Sequence, residues 1–208
     1  MYIKFMNVEN KNIYISYWLL LITSLVGLII IIGGLTRLTD SGLSITQWNL
    51  ISGILPPLCL NDWEKLFSLY KQIPEFQLTN SSMSLAEFKI IFWWEFIHRF
   101  LGRLIGILYI FPLIFFTYKK MLDKKTTLFF YSIFFLICLQ GIMGWLMVKS
   151  GLTERTDVSH YLLSIHLTLA FIIFILSFWQ YLKHKLHQFT QINKKLPFNL
   201  PIIFMIFI

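Results

Sequence analysis

Charged residues are scarce in this sequence. Asp, Glu, Lys and Arg make up 13% of its 208 residues, whereas apolar residues make up 57%, and the mean hydropathy is +0.69. A soluble domain of this size could not cover so much apolar surface with so few charges, which excludes an ordinary water-soluble enzyme. The apolar residues fall in long runs, and such runs are typical of segments that cross a membrane.

Cysteine is almost absent as well. Cys59 lies between two apolar runs, Cys138 lies inside one, and neither takes part in a CxxC or a Cys/His metal-binding spacing. We therefore expect two free thiols, with no disulfide and no zinc site.

Four apolar runs approach the ~20 residues that a helix needs to cross the hydrocarbon core. They are Tyr17–Leu35, Ile90–Tyr118, Thr127–Val148 and Val158–Leu182. The first run is too long for a cleavable signal peptide and lacks a small-residue cleavage site. A fifth run begins at Pro197 and stops at Ile208, so we expect a part of a longer protein or a truncated gene product. The predicted fold is an all-α integral membrane protein, a four-helix transmembrane bundle with the start of a fifth helix.

The positive charges indicate an orientation for this bundle. Most of the net charge of +8 comes from short Lys-rich clusters at 119–125 and 183–195, between the apolar runs. Because basic loops stay in the cytoplasm, segments 1–16 and 183–196 are predicted to be cytoplasmic and segment 36–89 to lie outside. Clusters at membrane boundaries do not form a nucleic-acid-binding stripe, so no nucleic-acid partner is expected.

The outer segment 36–89 is too long for a simple connector and is rich in aromatic residues, including Trp48, Trp63, Phe67 and Tyr70. This composition predicts short interfacial helices over the mouth of the bundle. They could serve as a lid over a site or as an anchor in the interface.

Ionisable residues inside a membrane span are costly and mark functional sites. The second run contains Glu95, His98, Arg99 and Arg103, and the fourth contains His160 and His166. His98 and His166 each lie eight residues beyond the start of their run, which places both roughly 12 Å below the outer boundary. Two histidines at one depth on facing helices can bind haem iron from opposite sides.

Small residues accompany this pair. Gly102 and Gly106 follow His98 at intervals of four residues, and Gly141 and Gly144 lie on the third run beside Gln140. Such stripes leave space beside a helix, either for a flat ligand or for close helix packing.

Three charged residues surround His98. Arg99 and Arg103 share one helix face and suit the propionates of a haem, although Arg99 also stands four residues from Glu95 and could form an ion pair with it. Glu95 precedes His98 by one turn, so it could act as a proton acceptor or stabilise a cation. A purely structural ion pair is the alternative for Glu95.

The remaining histidines do not suit a ligand role. His160 lies near the membrane boundary, and because it is six residues from His166 it cannot share that residue's helix face. We therefore expect it in the interface or in support of a ligand, and not as a ligand itself. His184 and His187 fall in the basic segment 183–196, where solvated side chains are expected.

Several motifs, in this order, resemble the haem A synthase family in its mitochondrial and alphaproteobacterial branch. They are the stretch GGLTRLTDSGLS at 33–44, the ExxHR pattern from Glu95 to Arg99 with Gly102 and Arg103, Gln140 with Gly141, and the stretch VSHY at 158–161 followed by His166. The resemblance extends over most of residues 15 to 182.

This resemblance implies an eight-helix protein of two similar four-helix halves, with 17–182 as the N-terminal half. It implies oxidation of a methyl group of haem O to a formyl group, which gives haem A for cytochrome oxidase. His98 and His166 would be the axial ligands of the substrate haem, Arg99 and Arg103 would help to bind it, and Glu95 would be the catalytic carboxylate. Haem b is expected in a C-terminal half.

The resemblance also implies partners and a location. Haem O synthase, cytochrome oxidase assembly factors, membrane lipid and further copies of the chain are expected around it. The location would be a bacterial inner membrane, or the mitochondrial inner membrane in a eukaryote.

Three features depart from the family pattern. The sequence stops within the fifth run, Leu162 replaces the usual arginine after Tyr161, and Cys59 has no cysteine partner in the outer segment. Two other functions stay open: a bis-histidine haem b electron carrier that does not alter its haem, and a transporter with a polar pathway.

Overall fold

The computed structural model describes residues 8–47, 52–152 and 156–193. Within these ranges the regular elements are all helical. They are α1 (Val8–Leu38), a 3₁₀ turn (Ser52–Ile54), α2 (Leu60–Tyr70), α3 (Pro74–Leu78), α4 (Leu85–Tyr118), α5 (Lys124–Gly151) and α6 (His160–Asn193). The prediction of an all-α protein is therefore confirmed.

Four of these helices are long and apolar enough to cross a membrane. The suitable segments are Lys11–Leu38, Leu85–Tyr118, Lys124–Gly151 and His160–Leu186, and each overlaps one predicted run. Helices α4 and α5 begin before their apolar runs, and polar side chains cap their first turns. Ser84 and Glu87 form a capping box at the start of α4, and the Asp123 side chain accepts two backbone N–H groups at the start of α5.

The bundle is organised around α1, which packs most extensively against α6 and then against α4. An inner core forms near the start of α1, where the rings of Tyr109, Phe116 and Phe130 surround Trp18 at 5.0–5.4 Å. The Trp18 indole N–H donates to the Leu108 carbonyl at 2.9 Å. Since the indole N–H is satisfied, the whole ring can be buried without an unpaired donor.

A second core lies at the opposite, outer end. Trp63, Phe67 and Tyr70 of α2 pack onto Phe88 and Phe92 in the first turns of α4. The short helices predicted for the outer segment are therefore present, although Trp48 lies outside the described residues. The outer core ends on α4 near Phe96 and the inner core begins at Ile105, so His98 lies between the two cores.

Helical structure extends past the predicted start of the basic segment at 183. Helix α6 continues to Asn193, and the His184 ring is partly buried, with its Nδ1 3.2 Å from the Asn12 Oδ1. Helix α1 begins with polar residues that lie alongside the end of α6. This packing covers His184, which we expected to be solvated. The side chain of His187 and the run from Pro197 lie outside the described residues.

Candidate functional site

The imidazole rings of the two predicted ligands pack against glycine backbone. A Cβ added at Gly33 of α1 would lie 3.2 Å from the His98 Nε2, and a Cβ added at Gly144 of α5 would lie 3.1 Å from the His166 Cε1. Each ring therefore occupies space that a larger residue would take. The structure brings the two histidines within electrostatic range of each other.

His166 has a polar environment that is only partly satisfied. The Gln140 side-chain amide donates to the His166 carbonyl at 3.0 Å, which ties α5 to α6. The His166 Nδ1 and the Gln140 Oε1 are buried without a hydrogen-bond partner in the described parts of the chain. Buried unpaired polar atoms of this kind are uncommon and point to a group that the protein binds.

The donor set indicates which kind of metal could be bound. No cluster of three or more His, Cys, Asp and Glu side chains occurs within 8–47, 52–152 and 156–193, so a closed protein cage of the zinc type is not formed there. A haem iron carries its own four equatorial nitrogens and needs only axial ligands. The pair of His98 and His166 therefore fits a haem.

The predicted small-residue stripe is only partly open. A Cβ at Gly106 or at Gly141 would meet nothing within 4 Å, whereas one at Gly102 would lie 3.7 Å from the Ile29 side chain. Gly102 thus serves helix packing against α1, and the other two positions border open space.

Glu95 is 2% exposed, and both of its carboxylate oxygens accept hydrogen bonds. Its Oε2 accepts from the Ser44 hydroxyl and the Ile45 backbone N–H, each at 2.7 Å. Its Oε1 accepts from the Arg99 Nη2 at 2.5 Å. The ion pair proposed as an alternative from the sequence is confirmed, and the carboxylate also closes the turn after α1 onto α4, one helical turn from His98.

The two arginines differ in their surroundings. Arg99 is almost buried and also donates to the Ile45 carbonyl at 2.9 Å. Arg103 lies one turn further along α4, and its Nη1 donates to the Arg99 carbonyl at 3.0 Å. A cavity of about 200 Å³ is lined by Arg99, by Thr46 and by Trp145 and Lys149 of α5. Arg99 and Lys149 are therefore the two cationic side chains that border this small cavity.

The remaining titratable candidates lie away from this centre. His160 begins α6 with its Nε2 3.2 Å from the Asp157 Oδ2, and its side chain is 65% exposed. Its interfacial position stays a prediction. Cys59 and Cys138 are both free and exposed.

Sequence reasoning missed four residues of the site. Two of them, Gly33 and Ser44, belong to the stretch at 33–44, and Ile45 follows it directly. Only the folded structure shows that Gly33 lies against His98. It also shows that Ser44 and Ile45 donate hydrogen bonds to Glu95. The fourth is Glu75, which is 4% exposed in α3. Burial, and secondly the charge of Glu95, raise the pKa of the Glu75 carboxyl to about 7. A glutamate after a proline at a helix start normally indicates an exposed residue, so the pattern gave no signal.

Comparisons with known proteins agree with this geometry. The sequence is 50% identical over 204 residues to a haem A synthase of Pelagibacter ubique, which covers 97% of this chain and 59% of the relative. It is 52% identical over 171 residues to one of Maricaulis maris, with 82% and 50% covered. It is 44% identical over 204 residues to one of Rickettsia bellii, with 96% and 60% covered.

The chain thus spans only half to three fifths of the length of these curated relatives. No solved structure gave a significant match. The profile of the COX15-CtaA family, described as cytochrome oxidase assembly proteins, matches residues 16–208. This multi-pass helical membrane chain therefore belongs to the COX15-CtaA family.

Proposed function

We propose that this chain is the substrate-binding half of a haem A synthase, which oxidises a methyl group of haem O to a formyl group. The observation that carries the proposal is the pairing of His98 and His166 between the two cores, each ring against a glycine of a neighbouring helix. The relatives are named haem A synthases, and the motifs by which this sequence resembles that family include these histidines.

Each site residue has a role in this proposal. His98 and His166 bind the substrate from opposite faces, since haem iron supplies two open axial positions for imidazole nitrogen. Arg99 and Arg103 attract the propionates at the outer end. Glu95, one helical turn from His98, stabilises positive charge or accepts a proton.

The wider assignment follows the family. We place the chain in a bacterial inner membrane with the N-terminus in the cytoplasm, or in the mitochondrial inner membrane of a eukaryote. Residues 17–182 form the haem-binding half with 36–89 as its outer loop, and haem b belongs to a C-terminal half. Haem O synthase, cytochrome oxidase assembly factors and further copies of the chain are the proposed partners.

The test is to express the full reading frame in cells that make haem O but lack their own haem A synthase, and to extract and identify the haems. We expect haem A with the native protein. Glu95→Gln should keep bound haem O and lower haem A by about a hundredfold or more, the scale of a lost acid–base group. Glu64→Gln, an exposed glutamate of α2, is the control.

Two outcomes would contradict the proposal. Haem that is bound but never altered by the native protein would favour the electron-carrier function. Failure to bind haem at all would exclude both haem functions and favour the transporter.

A further inference from the structure

We propose that Glu75 is a proton-carrying residue beside the site, which holds a proton while it is buried and exchanges that proton with the outer surface. It would be a positioning residue that acts through Glu95, without contact with the substrate. The effect on haem A formation rests on the function proposed above, whereas the protonation of Glu75 does not.

Glu75 is buried without enough partners for an ionised carboxylate. Its side chain is 4% exposed, and its Oε2 has no hydrogen-bond partner in the part of the chain that the structure describes. Its hydrogen-bonding neighbour is the Tyr70 hydroxyl, and that hydroxyl accepts from the Asn80 Nδ2 at 2.9 Å. A buried charge with an unpaired oxygen is strongly unfavourable, so the neutral acid is the stable form.

The charges around Glu75 favour the same form. The groups that act on it electrostatically are Glu95 from α4, Asp40 after α1 and Tyr70 from α2, and none of the three is a cation. Arg99 is already paired with Glu95. The negative charges of Glu95 and Asp40 therefore oppose the ionisation of Glu75.

A route to the outer water lies beside Glu75. Thr79 and Asn80, which directly follow α3, line an open cleft of about 360 Å³ together with Thr39 and Glu87. Asn80 also contacts the Tyr70 hydroxyl. When the proton leaves Glu75, it passes to water in this cleft and leaves a carboxylate behind, and no electron moves. The new negative charge on Glu75 then acts electrostatically on Glu95.

The test is an infrared titration of the full protein in membranes, from about pH 5 to about pH 9. We expect the carbonyl stretch of a protonated carboxyl group to disappear with a midpoint close to 7, the value to which burial raises the pKa of Glu75. Glu75→Gln should remove this band. Glu64→Gln, an exposed glutamate of α2, should leave it unchanged.

Tyr70→Phe provides a second variant. The tyrosine hydroxyl stabilises the ionised form of Glu75, so its loss should shift the midpoint to higher pH without removing the band. A band that survives in Glu75→Gln would overturn the proposal, and so would the absence of any band that titrates near pH 7.

The pH dependence of haem A formation gives the functional readout. We expect an inflection near pH 7 in the native protein that is lost in Glu75→Gln. If the band is found but no haem A is made, the proposed function fails and the protonation of Glu75 stands. If haem A is made and the inflection persists in Glu75→Gln, the role of Glu75 fails and the proposed function stands.

Discussion

Ser44 donates its hydroxyl proton to the Glu95 carboxylate across 2.7 Å, between the turn after α1 and the outer half of α4. Both residues are 2% exposed. The next residue, Ile45, gives its backbone N–H to the same oxygen. The Glu95 carboxylate, one helical turn from His98, therefore holds the turn after α1 against α4. These hydrogen bonds connect the turn directly to the site.

Removal of the serine hydroxyl should loosen this turn. Ser44→Ala leaves a buried carboxylate with one donor fewer, and a hydrogen bond to a charged group contributes about 1.5–3 kcal/mol. We expect a loss of stability of that size in detergent-denaturation experiments, with faster proteolysis after α1. Ser68→Ala is the control, because that exposed serine bonds only to the Lys65 carbonyl of its own helix. Equal losses for the two variants would contradict the role of Ser44.

The glycines beside the histidines provide a test with matched controls. Gly33→Ala should displace the His98 ring, since the added Cβ would lie 3.2 Å from its Nε2. We expect about tenfold weaker haem binding, equivalent to about 1.4 kcal/mol, in a titration followed by absorbance. Gly34→Ala, where a Cβ meets nothing within 4 Å, should bind haem normally.

The same comparison applies on α5. Gly144→Ala should weaken haem binding through His166, whereas Gly141→Ala should not, because only the first position contacts the ring. If the two α5 variants weakened haem binding equally, the effect would come from helix packing and not from the histidine.

Arg99 should matter more for stability than Arg103. Arg99→Ala leaves the Glu95 carboxylate buried without its cation, which typically costs about 3–5 kcal/mol. Arg103→Ala should cost less, since its guanidinium donates to a backbone carbonyl of the same helix. The double variant Glu95→Gln/Arg99→Ala should recover part of the loss. If it is less stable than Arg99→Ala alone, the ion pair is not the source of the effect.

Glu75 should make stability depend on pH. Its pKa is raised from 4.5 to about 7 in the folded protein, so the native state keeps a proton that the unfolded chain releases between these values. The protonated Glu75 therefore contributes fully to the stability of the folded state below pH 4.5, the pKa in the unfolded chain. This contribution is lost as the pH rises through about 7. Denaturation midpoints measured at about pH 5 and about pH 8 should differ less in Glu75→Gln than in the native protein or in Glu64→Gln. An unchanged difference in Glu75→Gln would contradict the raised pKa.

The spans could be predicted from the sequence because they depend on local composition. The common depth of His98 and His166 followed from a count of residues along two helices. The partners of Glu95 could not be predicted, because Ser44 and Ile45 lie about fifty residues away and meet it only when the outer turn folds back.

Two other features depended on tertiary packing. Glu75 is buried because α2 and α3 fold onto α4, and nothing in a Pro-Glu pair indicates that. His184 is covered because α6 continues beyond its apolar run and meets the start of α1. In each case the sequence did not indicate which neighbouring helix would pack against the residue and bury it.

The central claim is that His98 and His166 bind one haem from opposite faces, and the spectrum of the purified, haem-loaded protein tests it most directly. The native protein should show the low-spin absorption and electron paramagnetic resonance of bis-imidazole iron. His98→Ala and His166→Ala should each convert the bound haem to a five-coordinate, high-spin form. A low-spin spectrum that persists in both variants, or a native protein that takes up no haem, would contradict the account.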